Sequence, residues 1–272
     1  MGKFDGILLC TDLDDTLLTY DKRVSDKNIE AINYFMDNGG LYTFATGRVI
    51  KGANLIREYV EPNAPMVCVN GAGVYDFKTQ KFLWSLKLDD SMVDVLEYVD
   101  KNLPYAGIEA SSETNVYFCK VNRLVEEHKR LEKFPDNYVG YHDLPEKIMK
   151  VIFMVEEYEL EGFKDAIHKT NFPEKYSFIQ SSPWYYELLP KGVSKGAGLE
   201  KLKELTKSRF TIAMGDTEND ISLMQSADLG VAVANAIEPV KDVAGYITEN
   251  DNNHDAVYEV IMKLDAGEIE IH

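Results

Sequence analysis

Three carboxylates fall within four residues near the amino terminus, at Asp12, Asp14 and Asp15 of the run Ile7-Leu8-Leu9-Cys10-Thr11-Asp12-Leu13-Asp14-Asp15-Thr16-Leu17-Leu18. The apolar residues before them read as a buried strand. Like charges crowded at a strand end repel, and burying them unpaired is costly. A divalent cation resolves that conflict, and carboxylates suit Mg²⁺. An acidic turn or helix cap would explain the same residues without chemistry, since Asp and Thr are common in both.

Two more apolar runs end in reactive residues. Tyr42-Thr43-Phe44-Ala45 leads into Thr46-Gly47-Arg48, and Thr211-Ile212-Ala213-Met214 leads into Gly215-Asp216-Thr217-Glu218-Asn219-Asp220. In parallel α/β sheets, ligands bind beyond the carboxyl ends of the strands, so three such ends can converge on one site. Asp12, Asp14 and Asp216 offer oxygen ligands for Mg²⁺. Asp216 and Asp220, four apart at an expected helix start, could share a face. Thr46 and the Gly47 amide are donors for a phosphate, aided by the amino terminus of the helix expected to follow. Lys195 or Lys191, both in Pro190-Lys191-Gly192-Val193-Ser194-Lys195-Gly196, supplies a cation. Metal, cation, donors and a carboxylate nucleophile together suit phosphoryl transfer.

These ends need elements to position them. The first segment reads as strand Ile7 to Thr11, a helix capped by Ser25, strand Leu41 to Ala45, helix Val49 to Tyr59 and strand Met66 to Val69. Such alternation predicts a parallel sheet covered on both faces. The pattern resumes with helix Ser194 to Leu205, strand Phe210 to Met214, helix Glu218 to Ala227, strand Leu229 to Val233 and a closing helix Asp255 to Leu264. The middle reads differently. A hairpin is expected at Val74 to Phe77 and Phe82 to Ser85, with strands at Tyr105–Ile108, Val116–Val121, Lys150–Val155 and Tyr176–Ile179. Helices fit Ser91–Asn102, Arg123–Lys133 and Glu159–Lys169. The middle strands are less uniformly apolar, as in a sheet with one wet face. The expectation is therefore an α/β protein, in which a catalytic core of residues 1–82 and 191–272 is interrupted by an α+β domain at 83–190.

The 272 residues are 45% hydrophobic, which is ample for a buried core. A formal net charge of -17 argues against nucleic-acid binding and against anionic membrane surfaces. Cys10, Cys68 and Cys119 are widely spaced, which suggests neither a disulfide framework nor a zinc site. With no signal-peptide pattern and no bilayer-length apolar run, a cytoplasmic protein is expected.

Here the chain resembles the haloacid dehalogenase superfamily, and within it the Cof-type phosphatases with a type-2 cap. Asp12 to Leu18 is similar to the family's first motif, Thr46-Gly47-Arg48 to its second, Lys195 in Val193-Ser194-Lys195-Gly196-Ala197 to its third, and Gly215 to Asp220 to its fourth. Asn70-Gly71-Ala72 and Ala234-Asn235-Ala236 resemble two further signatures. Asp15 departs from the commoner Gly, and His254-Asp255-Ala256 stands where Glu-Asp-Gly is usual.

The resemblance implies a Rossmann-like core with an inserted cap, and a Mg²⁺-dependent phosphatase acting on a small phosphorylated metabolite, sugar phosphates included. Asp12 would be the nucleophile. Asp14 would be the acid/base, held protonated by its nearness to Asp12. Asp12, the Asp14 main-chain carbonyl and Asp216 would hold the metal, with Asp220 orienting them from behind. Lys195, Thr46, Gly47, Asn219 and the Leu13 amide would hold the phosphoryl oxygens. Arg48, Trp184 and Glu187 are candidates for touching substrate, although Arg48 could instead pair with a carboxylate, and the aromatic residues could be packing. Asn235 reads as a helix cap. His128, His142 and His168 read as surface residues. A phosphomutase of the same superfamily and a phospho-accepting receiver are the alternative functions.

Overall fold

The computed structural model describes residues 2–54, 56–269 and 271. The chain is α/β and divides into two compact units, Met1–Trp84 with Ser194–His272, and Ser85–Val193.

In the first unit five parallel strands lie in the order Tyr246–Ile247, Leu229–Ala232, Phe210–Gly215, Ile7–Thr11, Leu41–Phe44. Ile7–Thr11 and Phe210–Gly215 are buried along their whole length. That is why they read as continuous apolar runs: a parallel sheet is covered on both faces. Register sets where the three reactive strand ends lie. Thr11 is level with Met214 on one side and with Phe44 on the other. Asp12, Gly215-Asp216 and Ala45-Thr46 therefore leave the sheet at one height.

Helix Asp26–Asp37 is capped by Ser25, whose side chain accepts the Asn28 amide. Helix Lys195–Thr206 is capped in the same way by Ser194, which accepts the Ala197 amide. Leu199 and Leu202 of this helix pack on Leu8, Cys10, Val67 and Ala213.

Three expectations need correction in this unit. The helix expected over Val49 to Tyr59 is instead a short helix, Ile50–Asn54, and a 3₁₀ turn, Ile56–Glu58, with Leu55 outside the described residues. Gly52 inside it and Pro62 close after it give little helix support. The strand Met66–Cys68 touches the parallel sheet through a single Ala45–Val67 bridge. Its main partner is antiparallel, Gly73–Asp76, in a separate sheet with Lys81–Ser85. The helix expected from Glu218 begins as a 3₁₀ turn, Glu218–Asp220, and turns α-helical over Ile221–Ser226.

The second unit is one antiparallel sheet in the order Val116–Lys120, Gly107–Ser111, Lys150–Met154, Tyr185–Pro190, Tyr176–Ser182. Helices Met92–Asn102, Arg123–Leu131 and Glu157–His168 accompany it. Val95, Leu96, Val99, Phe163 and Ile167 pack on Ile108, Val151 and Phe153. The expected wet face is confined to the edges: Gly107–Ser111 and Lys150–Met154 are buried throughout, whereas Tyr176–Ser182 is half-buried after its first residue. Lys150 and Glu109 in the two buried strands are paired inside, while the buried Ser111 hydroxyl has no hydrogen-bond partner among the described residues. Lys150 donates to both carboxylate oxygens of Glu187 at 3.2 Å, and Ser181 donates to Glu187 at 2.6 Å. His128 Nδ1 lies 2.8 Å from Glu109, and His168 Nε2 lies 3.1 Å from the Tyr186 hydroxyl. His128 is thus a partnered, half-buried residue rather than a free surface one, whereas His168 is exposed, as expected, with one hydrogen bond to Tyr186.

Candidate active site

The residue after each central strand meets the others at the sheet's carboxyl edge. Asp12 is buried and follows Thr11 directly, its amide still donating to Met214 O at 2.9 Å. The chain then makes a wide turn, Leu13–Leu17, closed by the Leu18 amide on Leu13 O at 2.8 Å. Within it Asp14 is extended and Asp15 is left-handed, with φ 57°. This kink separates the two motif carboxylates. Asp12 faces the sheet edge, whereas Asp14 turns outward to a different set of partners.

Lys195, the first residue of its helix, is 1% exposed and bridges Asp12 Oδ1 and Asp220 Oδ1 at 2.7 Å each. Burial opposes its charge, but the two carboxylates outweigh that and raise its pKa. Lys191, the competing cation, belongs to the other unit and donates to Pro173 O at 2.5 Å. Asp220 has little left to offer a ligand. Its Oδ2 accepts the Asp216 and Thr217 amides at 3.0 and 3.1 Å, in a capping box with Thr217. Asp216 accepts Thr16 Oγ1 at 2.9 Å.

One oxygen from each of Asp12, Asp216 and Asp220 lies within 4.8 Å of the others. Burial, then the charge of Asp12, pushes the Asp216 carboxyl well above the ordinary range. Burial also raises Asp12, against the pull of Lys195 and with the push of Asp220. One ammonium against three buried carboxylates leaves an excess of negative charge. Hard oxygen donors with that excess fit a divalent cation. Asp12 and Asp216 are placed to ligate it. Asp220, committed to Lys195 and to two amides, is placed to hold them.

Asp14 differs from its expected state. Arg48 grips it with Nε on Oδ2 and Nη2 on Oδ1, both at 2.9 Å, and Lys22 donates to Oδ1 at 3.1 Å. Partial burial would raise its pKa, but the Arg48 hydrogen bonds and charge, then Lys22, bring it down to about 2. Asp14 is therefore ionised, not kept protonated by Asp12 as the crowding in sequence suggested. The two cations nearest it outweigh the distant like charge.

Thr46 is 1% exposed, and its Oγ1 accepts the Arg48 amide at 3.1 Å. The helix after it has five residues, too few for the anion-favouring terminus expected beside Gly47. Gly47 packs closely on Asn70: a Cβ there would lie 3.0 Å from Asn70 Oδ1, so that side chain would have to shift. Asn70 Oδ1 in turn accepts Asn219 Nδ2 at 3.1 Å, and Asn219 Oδ1 accepts Thr217 at 2.9 Å. Asn70 reaches this place through consecutive left-handed residues, Val69 at φ 54°, Asn70 at 53° and Gly71 at 95°. A β-branched residue there is strained, and such strain gathers at functional sites. The segment is fixed by the Val69 amide on Arg48 O and the Asn70 amide on Thr46 O. Gly71 cannot be replaced, since a Cβ would sit 1.9 Å from Ser194 O.

Of the substrate candidates, Arg48 is engaged with Asp14. Glu187 is 2% exposed and paired with Lys150, which removes it from the surface role expected. Trp184 is 42% exposed, in the turn between the last two strands of its sheet. Thr16, Asn70 and Lys22 went unassigned in sequence. Thr16 and Asn70 lie inside the quoted motifs, which was their signal; Lys22 had none.

A family of haloacid dehalogenase-like hydrolases matches residues 9–261, and the chain belongs to it. It is an enzyme, a phosphatase of that family, whose hydrolases generally use a divalent metal. It is 28% identical over 258 residues to a 5-amino-6-(5-phospho-D-ribitylamino)uracil phosphatase of Bacillus subtilis, covering 93% of this chain and 94% of that one. A phosphoglycolate phosphatase of Saccharolobus solfataricus is 34% identical over 150 residues, 55% of this chain and 60% of its own. The crystal structure of a Thermotoga maritima protein superposes with a TM-score of 0.79 at 26% identity, covering 97% of this chain and 98% of that one.

Proposed function

We propose that the protein is a Mg²⁺-dependent phosphatase of small phosphomonoesters that works through an aspartyl-phosphate on Asp12. One observation carries this: a buried carboxylate, Asp12, touches a buried ammonium, Lys195, beside Asp216 and Asp220. Mg²⁺, when bound, would screen the phosphoryl charge from the carboxylates and fix its oxygens. The Asp12 oxygen attacks phosphorus, and the bond from phosphorus to the ester oxygen breaks. Lys195 neutralises charge at the attacking oxygen and on the transferring group. Thr46, the Gly47 and Leu13 amides and Asn219 supply donors around it, with the Asp14 carbonyl as a further metal ligand. Water then attacks phosphorus and gives its proton to Asp14, releasing phosphate and restoring Asp12.

The ionised Asp14 suits this second half directly. To protonate a leaving alkoxide in the first half it must take up a proton and loosen the Arg48 fork. Arg48 thus tunes Asp14 rather than binding substrate. The substrate class is supported by relatives whose named substrates are small phosphate monoesters. The test is phosphate release from a panel of phosphorylated metabolites, sugar phosphates among them, with Mg²⁺ or with EDTA. Mg²⁺-dependent release from at least one is expected, and none from any would overturn the reading. Isomerisation without release would favour a mutase.

A further inference from the structure

A wide turn that places a catalytic carboxylate must be held, and Asp15 in the left-handed region would relax if it were free. Its backbone is gripped from outside. Asn235 Nδ2 donates to Asp15 O at 2.7 Å. Asn235 Oδ1 accepts the Asn252 amide at 3.0 Å. Asn252, which is fully buried, donates through Nδ2 to Leu18 O at 2.8 Å. Asn253 Oδ1 accepts the Tyr20 amide at 3.0 Å, extending the same contact along the chain. Asn235 caps no helix, because the next helix, Glu238–Val243, has Ile237 at its cap position. Its Nδ2 is committed to the turn and its Oδ1 to Asn252, which holds the turn's other end.

We propose that Asn235 and Asn252 form a clamp that positions the Leu13–Leu18 turn, and with it Asp14, for proton transfer. Its main job is to hold Asp15 left-handed. Both are positioning residues and touch no reacting atom. The catalytic half of this inference rests on the reading of Asp14 as acid/base. Each carbonyl accepts one amide donor, so the clamp can be released one side at a time. Glycine at position 15 would adopt the left-handed conformation without steric cost and so need the clamp less.

The experiment measures kcat and KM with the best phosphomonoester for Asn235→Ala and Asn252→Ala, each with Asp15 or with Asp15→Gly. Asn63→Ala is the control. Asn63 braces the Tyr42 amide and Gly40 O elsewhere in the same unit, so its loss tests general destabilisation. Asn235→Ala is expected to lower kcat about tenfold with KM within about twofold, as for an interaction felt in the transition state. With Asp15→Gly the loss should shrink to about twofold, because the sites couple. An equal loss in both backgrounds, or the same kcat loss in Asn63→Ala, overturns the clamp. Amide exchange at Leu18 gives a second readout without substrate. It should quicken in Asn235→Ala and not in Asn63→Ala, and unchanged exchange also overturns the clamp. If the parent enzyme releases phosphate from nothing, the functional reading fails, and the exchange result still decides whether the clamp exists.

Discussion

Both units bury charged side chains, and the balance of charge differs. In the inserted unit Lys150 faces Glu187, with Ser181 completing the contact, and His128 faces Glu109. In the core unit a single Lys195 faces Asp12 and Asp220, with Asp216 beside them. Burial raises both Asp12 and Asp216. A matched ion pair such as Lys150–Glu187 offsets part of the cost of burying its charges. An unmatched excess persists only where something else is to be bound, here a cation and a phosphoryl group. Buried charge alone did not separate the two units; surplus charge of one sign did.

The largest effect expected of this contrast is on Asp12. Asp12→Asn should lower kcat by on the order of 10⁴-fold or more while the circular dichroism spectrum stays native. Asp14→Ala should cost about 10²- to 10⁴-fold with an alkyl phosphate. The same variant should lose much less with p-nitrophenyl phosphate, whose leaving group departs without a proton. Equal losses would remove Asp14 from the acid role. In the inserted unit Glu187→Gln should destabilise by about 3 kcal/mol, since it leaves the buried Lys150 ammonium facing a neutral amide. Urea denaturation reads this, and chemistry at saturating substrate should change far less than in Asp12→Asn.

The smallest effect is on pH dependence. Asp216 has its folded pKa raised to about 8 and Asp12 to about 7, against roughly 3.9 unfolded. The native state then binds more protons between those values, so stability falls as pH rises from about 4 to 8. A melting series in EDTA should show that fall, and Mg²⁺ should flatten it. Asp14 works in the opposite direction. Its pKa is depressed, so its contribution is present above about 4 and lost as pH drops towards 2. A melting temperature that rises with pH in EDTA would contradict the core assignment.

The strand ends were legible because a buried parallel strand leaves an unbroken apolar run, and the polar residue that ends it stands out. Thr11, Met214 and Phe44 end such runs, and their shared register is what parallel pairing implies. The protonation of Asp14 was not legible, because Arg48 and Lys22 reach it across a turn whose left-handed Asp15 redirects its side chain. The strand Tyr185–Pro190 was missed because Glu187 breaks its apolar pattern, and the partner that makes burial tolerable, Lys150, lies two strands earlier in the chain. Over Val49–Tyr59 only Ile50–Asn54 is α-helical and Ile56–Glu58 is a 3₁₀ turn, and Gly52 gives that segment weak helix support.

The central claim is that Asp12 carries the phosphoryl group. The most direct measurement quenches the enzyme in acid during turnover of its best phosphomonoester, reduces the acyl phosphate with borohydride and maps the product by peptide mass spectrometry. The account predicts homoserine at position 12 and at no other aspartate. Phosphate release with Asp12 unmodified, or homoserine at Asp14 or Asp216, would contradict it.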